Sequence, residues 1–218
     1  MKQWHNECPE LIGLKMDLFG NLADPAENLL PMDGTVNYYG PILGTQQADQ
    51  FFQKLMQTVD WRHDEVIIYG KRIATKRKVA WYGDQGFCYT YSKVTKSADP
   101  WTKELLELRG LVQSRSGEEY NSCLLNLYHS GDEGMSWHSD AEVDLKPDGA
   151  IGSLSLGATR RFSFRHKMSD HRVDVNLEHG SLLVMKDTTQ SFWKHSLPKT
   201  KKVKSPRISL TFRTIQRQ

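Results

Sequence analysis

The sequence has no run approaching about 18 consecutive apolar residues, so it offers no helix to span a membrane. Its opening residues, Met1 to Glu10, are too polar for a secretory signal, and an intracellular protein is expected. Cysteine is scarce. Cys8, Cys88 and Cys123 are odd in number and lack the close spacing of a metal site. Free thiols in a reducing compartment are expected, not a disulfide framework. No internal repeat, low-complexity stretch or linker divides the chain, which argues against a solenoid or a two-domain protein. The net charge of +3 excludes nothing by itself.

The distribution of charge says more. Residues 71–78 hold Lys71, Arg72, Lys76, Arg77 and Lys78. Residues 160–167 hold Arg160, Arg161, Arg165 and Lys167, and residues 199–204 hold Lys199, Lys201, Lys202 and Lys204. These three runs carry 13 of the 29 lysines and arginines. Such clusters suit a phosphate backbone, or each is a solvated loop.

Periodicity predicts a helix over 45–59, with Thr45 as N-cap and Phe51, Phe52, Leu55, Met56 and Val59 on one face. Strands at 65–69 and 79–82 form a hairpin around a charged tip, and a further strand covers 87–91. Pro100 to Ser114 reads as a second helix, begun by the proline and burying Leu105, Leu108, Leu111 and Val112. Tyr38-Tyr39 begins a short strand. From residue 120 the pattern turns to short strands at 121–128, 150–156, 160–166, 172–177, 181–186, 192–196 and 207–215. That spacing predicts a sandwich or barrel.

One stretch organises the chemistry. In Trp137-His138-Ser139-Asp140 an imidazole and a carboxylate two apart on extended backbone point to the same side. They supply two-thirds of the 2-His-1-carboxylate triad that holds non-haem Fe(II). The third ligand must come from His166, His171, His179 or His195. The last strand bears on the choice. Arg207, Ser209, Thr211 and Arg213 share one face, and Ile208, Leu210 and Phe212 share the other. If the arginines turn inward they need an anion, and guanidinium forks match a dicarboxylate. If they turn outward they are ordinary surface charges. Asn126 and Tyr128 share a strand face upstream and are candidate donors to the same ligand.

These motifs carry a resemblance. Tyr82-Gly83-Asp84, Asn126-x-Tyr128, His138-x-Asp140, Ser153-Leu-Ser-Leu-Gly-Ala-Thr-Arg160, His179-Gly-Ser-Leu-Leu, His195-Ser-Leu-Pro198 and Pro206-Arg-x-x-Leu-Thr-Phe-Arg213 occur in one order. From about Val66 onward the sequence resembles the AlkB family of Fe(II)/2-oxoglutarate-dependent dioxygenases, in particular its duplex-DNA-repair branch. The resemblance implies a mainly β fold with flanking helices. A double-stranded β-helix, or jelly roll, would occupy 119–218, and 1–118 would form an N-terminal extension and nucleotide-recognition lid within one domain spanning 1–218.

It also implies roles. His138, Asp140 and His195 would bind Fe(II), with 2-oxoglutarate and O₂ as co-substrates. Arg207, Asn126 and Tyr128 would hold one end of 2-oxoglutarate, and Arg213 with Thr211 the other. Substrate contacts would come from Tyr69, Gly70, Lys71, Arg77, Tyr89, Tyr91, Ser92, Glu142 and Arg160. Tyr91 would stack on the base and the 69–78 hairpin would enter the duplex. The sequence departs from the pattern at Ala141, where a second acid often stands, and at Tyr69 and Tyr91, where Phe is common. The implied reaction is oxidative demethylation of 1-methyladenine and 3-methylcytosine in DNA, releasing formaldehyde and succinate. An RNA demethylase or a protein side-chain hydroxylase shares the same ligands, and a non-catalytic reader of methylated nucleic acid is the reading from another class. A monomer is expected, with no membrane association, in the cytoplasm of a bacterium or the nucleus of a eukaryote.

Overall fold

The computed structural model describes residues 23–68, 71–84, 88–91 and 94–216. Two antiparallel sheets face one another. The large sheet begins at one edge with β1 (Thr35–Pro41) and continues through β12 (Ser181–Lys186), β9 (Ile151–Gly157), β14 (Arg207–Arg213) and β7 (Ser122–Tyr128). It ends with β3 (Lys71–Gly83) and β2 (Arg62–Ile68), and β6 (Asp99–Pro100) runs parallel beside β3. The small sheet has the order β11 (Arg172–Leu177), β10 (Arg160–His166), β13 (Trp193–Leu197) and β8 (Met135–His138). A two-stranded ribbon, β4 (Cys88–Tyr91) with β5 (Val94–Ser97), stands apart. This is the sandwich the strand spacing predicts and the jelly roll the resemblance implies. Residues 35–83 contribute three strands to its large sheet.

Two helices cover the outer face of the large sheet. Helix α1 (Thr45–Thr58) starts where the periodicity predicts, but Gly44 is its N-cap and Thr45 its first helical residue. Helix α2 (Lys103–Ser116) starts later than Pro100. Pro100 is held in β6, and Thr102 caps the helix by accepting the Leu105 N–H at 3.3 Å. Phe51 and Leu55 of α1 and Leu105, Leu108 and Val112 of α2 meet the outward side chains of the sheet, such as Leu125, Leu154, Ile208, Leu210 and Phe212. Gly157 ends β9 at φ +87, and a Cβ there would stand 2.5 Å from the Pro206 carbonyl oxygen. Only glycine suits that combination of left-handed backbone and close approach.

The space between the sheets is divided. At one end Val36, Ile151, Leu183 and Met185 pack on Phe164, Leu177 and Trp193. At the other end the inward positions are polar: Asn126, Ser153, Ser155, Arg207, Ser209 and His195 are all buried. Alternation along β14 turns Ile208, Leu210 and Phe212 to the helices, so Arg207, Ser209, Thr211 and Arg213 turn inward. With 2% and 8% exposure respectively, Arg207 and Arg213 are not surface charges. A core that is apolar at one end and cationic at the other marks where a ligand belongs. Among the described residues no helix is long and apolar enough to cross a membrane.

Candidate active site

The small sheet brings two histidines together. His138 is the last residue of β8, and His195 sits directly opposite it on β13. Their rings meet edge to face at 4.3 Å between centroids. Asp140 lies two residues beyond the end of β8 and belongs to no strand. The carboxylate therefore reaches the site through a turn, not through strand alternation as the His-x-Asp spacing had suggested. Ser139 Oγ donates to the Trp193 carbonyl at 2.8 Å, and the Asp140 N–H donates to Gln190 Oε1 at 2.9 Å. Gln190 lies on α3 (Thr189–Phe192), the single turn that leads into β13.

The two carboxylate oxygens of Asp140 face different partners. Oδ1 is 3.5 Å from His138 Nε2 and 3.8 Å from His195 Nε2. Oδ2 accepts from Arg213 Nη2 at 2.6 Å. Among the described residues, His138, Asp140 and His195 form the one group of three whose donor atoms could share a metal, all within 4.8 Å of one another. Candidates His166, His171 and His179 are engaged elsewhere. His166 and His171 share the Ser169 hydroxyl, and His179 Nδ1 accepts the Gly157 N–H at 2.8 Å.

The protonation pattern suits a cation. His138 Nδ1 lies 2.8 Å from the Ser136 carbonyl, which can only accept. In the neutral ring this puts the proton on Nδ1 and the lone pair on Nε2. Burial pushes the His195 imidazole down to about 3 despite the pull of Asp140, so it is neutral at physiological pH. Burial acts to raise the Asp140 carboxyl, but Arg213, His195 and His138 overcome it and hold it below its ordinary value. Two imidazoles and one carboxylate make the facial donor set of non-haem Fe(II). Phe162 stacks on the His195 ring at 5.3 Å, and Phe164 meets its edge at 6.3 Å. These rings wall the site against water.

An anion site adjoins the donor set. Arg207 stands opposite Tyr128 on β7, and Ser209 stands opposite Asn126 on β7 and Ser155 on β9. Arg207 Nη2 donates to Ser155 Oγ at 2.9 Å, its guanidinium lies 5.7 Å over the Tyr128 ring, and its Nε is buried without a hydrogen bond. Burial lowers the guanidinium to about 10 but leaves it charged at neutral pH. A buried cation flanked by hydroxyls and an amide, on the strand whose other arginine meets the metal-binding carboxylate, fits a dicarboxylate co-substrate. Thr211 lies on the same inward face, half-buried.

The expected substrate residues divide. Arg160 is not at a substrate surface. It is 2% exposed, and its guanidinium donates to the carbonyls of Ser130, Glu133 and Pro198 at 3.3, 2.9 and 2.9 Å. It clasps the loop before β8 to the loop after β13. Arg77 turns inward from β3, with Nε donating to Asn126 Oδ1 at 3.1 Å and Nη1 3.5 Å from Met135 Sδ. Glu142 is half-buried on a cavity of about 480 Å³ that Asp140, Lys146, Lys167, Gln190 and Arg213 also line. The backbone places Lys71 at the start of β3, and Tyr89 and Tyr91 on one face of β4. Tyr69, Gly70 and Ser92 lie outside the described residues.

Sequence reasoning missed Gln190, Ser139, Ser155 and Phe162. The alternation of Phe162, Phe164 and His166 could have placed Phe162 inside the sandwich. Ser155 shares the inward face of β9 with Ser153, but nothing in the sequence pairs it with Arg207. Gln190 carries no signal, since an amide in a one-turn helix has no pattern to betray it.

Comparison with known proteins agrees with the geometry. Residues 35–213 match the model of the 2OG-Fe(II) oxygenase superfamily. The human DNA oxidative demethylase ALKBH2 is 38% identical over 207 residues, covering 90% of this chain and 79% of that protein. The bovine alpha-ketoglutarate-dependent dioxygenase alkB homolog 3 is 38% identical over 180 residues, covering 78% of this chain and 62% of its own. The solved structure of OsALKBH1 superimposes with a TM-score of 0.56 at 18% identity, over 85% of this chain and 99% of that one, and so shares the fold. The chain belongs to the 2OG-Fe(II) oxygenase superfamily, in company with the AlkB homologues, and is a dioxygenase of the class that uses Fe(II), 2-oxoglutarate and O₂.

Proposed function

We propose that this protein oxidatively demethylates N-alkylated bases in DNA, with 1-methyladenine and 3-methylcytosine as substrates. One observation carries the reading. The donor set and the buried Arg207 beside it occur in a chain 38% identical to a DNA oxidative demethylase over 90% of its length. When bound, Fe(II) with 2-oxoglutarate and O₂ supplies the oxidation of a methyl C–H bond, converting 2-oxoglutarate to succinate and CO₂.

The residues of the chain do the rest. His138 Nε2, His195 Nε2 and Asp140 Oδ1 hold the metal. Arg207, with Ser155, Asn126 and Tyr128, binds the far carboxylate of the co-substrate and fixes its direction in the cavity. Arg213 holds Asp140 Oδ2, leaving Oδ1 for the metal. No side chain needs to be a strong acid or base, because the hydroxymethyl group left on the base nitrogen breaks down by itself to formaldehyde and the restored base. Phe162 and the paired sheets exclude water, which keeps the oxidation on the substrate.

A base must leave the stack to reach this site. Unstacking costs a few kcal/mol and less for a lesion that cannot pair. Methylation on the Watson–Crick edge blocks pairing and places a positive charge on the ring. The reading assigns that charged ring to Tyr91 and Glu142, since a cation suits an aromatic face and a carboxylate. It assigns duplex entry to the hairpin of β2 and β3 and to the stretch Tyr69-Gly70-Lys71. Arg161 and Arg165 of the second basic run and the lysines of 199–204 then contact phosphates, which position the strand without reading its sequence.

The test is base identity. An oligonucleotide carrying one 3-methylcytosine is incubated with Fe(II), 2-oxoglutarate and O₂, digested, and its nucleosides are separated by mass. Cytosine is expected from the native protein and none from His138→Ala. An unchanged methylated base in single- and double-stranded DNA, with 2-oxoglutarate still consumed, refutes the reading.

A further inference from the structure

Asp140 is the one member of the donor set that no strand holds. His138 and His195 are fixed by the ladder they share. The Asp140 backbone N–H is instead taken by a side chain, Gln190 Oε1, at 2.9 Å. The backbone that carries Gln190 is fastened on several sides. Thr189, 1% exposed, donates from Oγ1 to the Lys186 carbonyl at 2.6 Å and accepts the Thr35 N–H at 2.9 Å. Lys167 Nζ donates to the Gln190 carbonyl at 2.8 Å. Trp193 Nε1 donates to the Met32 carbonyl at 3.0 Å. The amide is also aimed, because its Nε2 lies 3.6 Å from Met185 Sδ and so turns Oε1 toward Asp140.

We propose that Gln190 is a positioning residue for the metal centre. Its side-chain oxygen fixes the Asp140 backbone so that Oδ1 faces the two imidazoles while Oδ2 faces Arg213. Arg213 restrains only the end of the side chain. Ser139 Oγ pins the preceding residue by donating to the Trp193 carbonyl at 2.8 Å, but neither contact restrains the Asp140 peptide, and without Gln190 that peptide can turn and carry Oδ1 from the position it shares with His138 and His195. The Gln190 contact removes that freedom from the other end. A ligand pre-set by such a partner typically holds metal about 10–100-fold more tightly than one without it. The role is specific to the acceptor oxygen and not to the bulk of the side chain.

The inference rests on the metal site and not on the substrate reading. The experiment therefore omits nucleic acid. Mn(II), a redox-stable stand-in for Fe(II), is titrated into the full chain with saturating 2-oxoglutarate, and free Mn(II) is read by electron paramagnetic resonance. The thermal midpoint of each chelator-treated protein is measured alongside. Gln190→Met keeps the length and loses the acceptor, Gln190→Ala loses both, and Gln190→Glu keeps an acceptor oxygen. Gln190→Met and Gln190→Ala are expected to bind Mn(II) about 10–100-fold more weakly, with Gln190→Glu at native affinity. Native affinity in the Met and Ala variants overturns the proposal. So does a loss in Gln190→Glu equal to theirs, or a loss that merely follows the thermal midpoint across all three.

Discussion

Replacing Arg207 with methionine should make the protein more stable and less able to bind its co-substrate. The guanidinium is 2% exposed, and burial brings it from its ordinary value down to about 10. At 1.36 kcal/mol per pH unit, the folded protein bears a penalty of about 3 kcal/mol for holding that charge. The sign follows from linkage. A base whose folded value is depressed costs its full penalty wherever both states are protonated, which is everywhere below about pH 10. Methionine removes the penalty but also the hydrogen bond to Ser155 Oγ, a charge-assisted contact of about 1.5–3 kcal/mol. The net gain is about 1 kcal/mol, or roughly 2–4 °C in thermal midpoint for a chain of this size. Binding moves the other way. Losing one partner of a buried charge pair costs about 2–5 kcal/mol, so 2-oxoglutarate affinity should fall by roughly 30-fold or more. Differential scanning fluorimetry reads both effects with Mn(II) present. At 100 times the native Kd, 2-oxoglutarate should stabilise the native protein by about 2.7 kcal/mol and Arg207→Met by about 0.9 kcal/mol or less. A lower midpoint in the variant, together with an undiminished shift on adding 2-oxoglutarate, would refute the assignment of Arg207 as the buried cation waiting for a carboxylate.

Three further outcomes follow from the same structure. Arg160→Met should lower the unfolding free energy by about 3 kcal/mol in urea, since it strands the carbonyls of Ser130, Glu133 and Pro198. The folded fraction should bind oligonucleotide as before, and a loss of affinity with unchanged stability would return Arg160 to the substrate surface. In the chelator-treated protein His195 stays neutral down to about pH 3, whereas an unfolded imidazole protonates below about 6.5. The unfolded state binds the extra proton in that window, so stability should rise with pH from about 3 to 6.5 and the His195 contribution should be flat above it. Urea titrations of His195→Asn should show a shallower rise, and an equal slope contradicts the assignment. Thr102→Ala should cost about 1 kcal/mol through the lost cap of α2, measured by thermal unfolding, and leave catalysis unchanged.

The sequence was readable where local rules act alone. Ile208, Leu210 and Phe212 alternate with Arg207, Ser209, Thr211 and Arg213, and the structure keeps that alternation while burying both faces. Which face met the helices could not be read from β14 itself. It depends on β7, β9 and the two helices, which lie far away in sequence. The onset of α2 was misplaced for a related reason. Pro100 has the chemistry of a first helical turn, but pairing with Gly83 holds it in β6, and Thr102 provides the cap. His138 and Asp140 were legible as a pair, yet the geometry that unites them was not. It comes from Ser139 and Gln190 reaching across to and from a segment about 50 residues away in sequence. Arg160 shows the opposite failure. It lies in a basic run that reads as phosphate-binding, while alternation along β10 turns it inward and leaves Arg161 exposed.

The central claim is that one buried site couples turnover of 2-oxoglutarate to removal of a methyl group from a DNA base. Its most direct test is the ratio of two products in one reaction. Formaldehyde and succinate are quantified together during turnover on DNA carrying 3-methylcytosine. The account predicts equal amounts of each while substrate is in excess, and no formaldehyde from His138→Ala. Succinate formed without formaldehyde, whatever methylated nucleic acid is supplied, would contradict it and direct the search to a different acceptor of the oxidation.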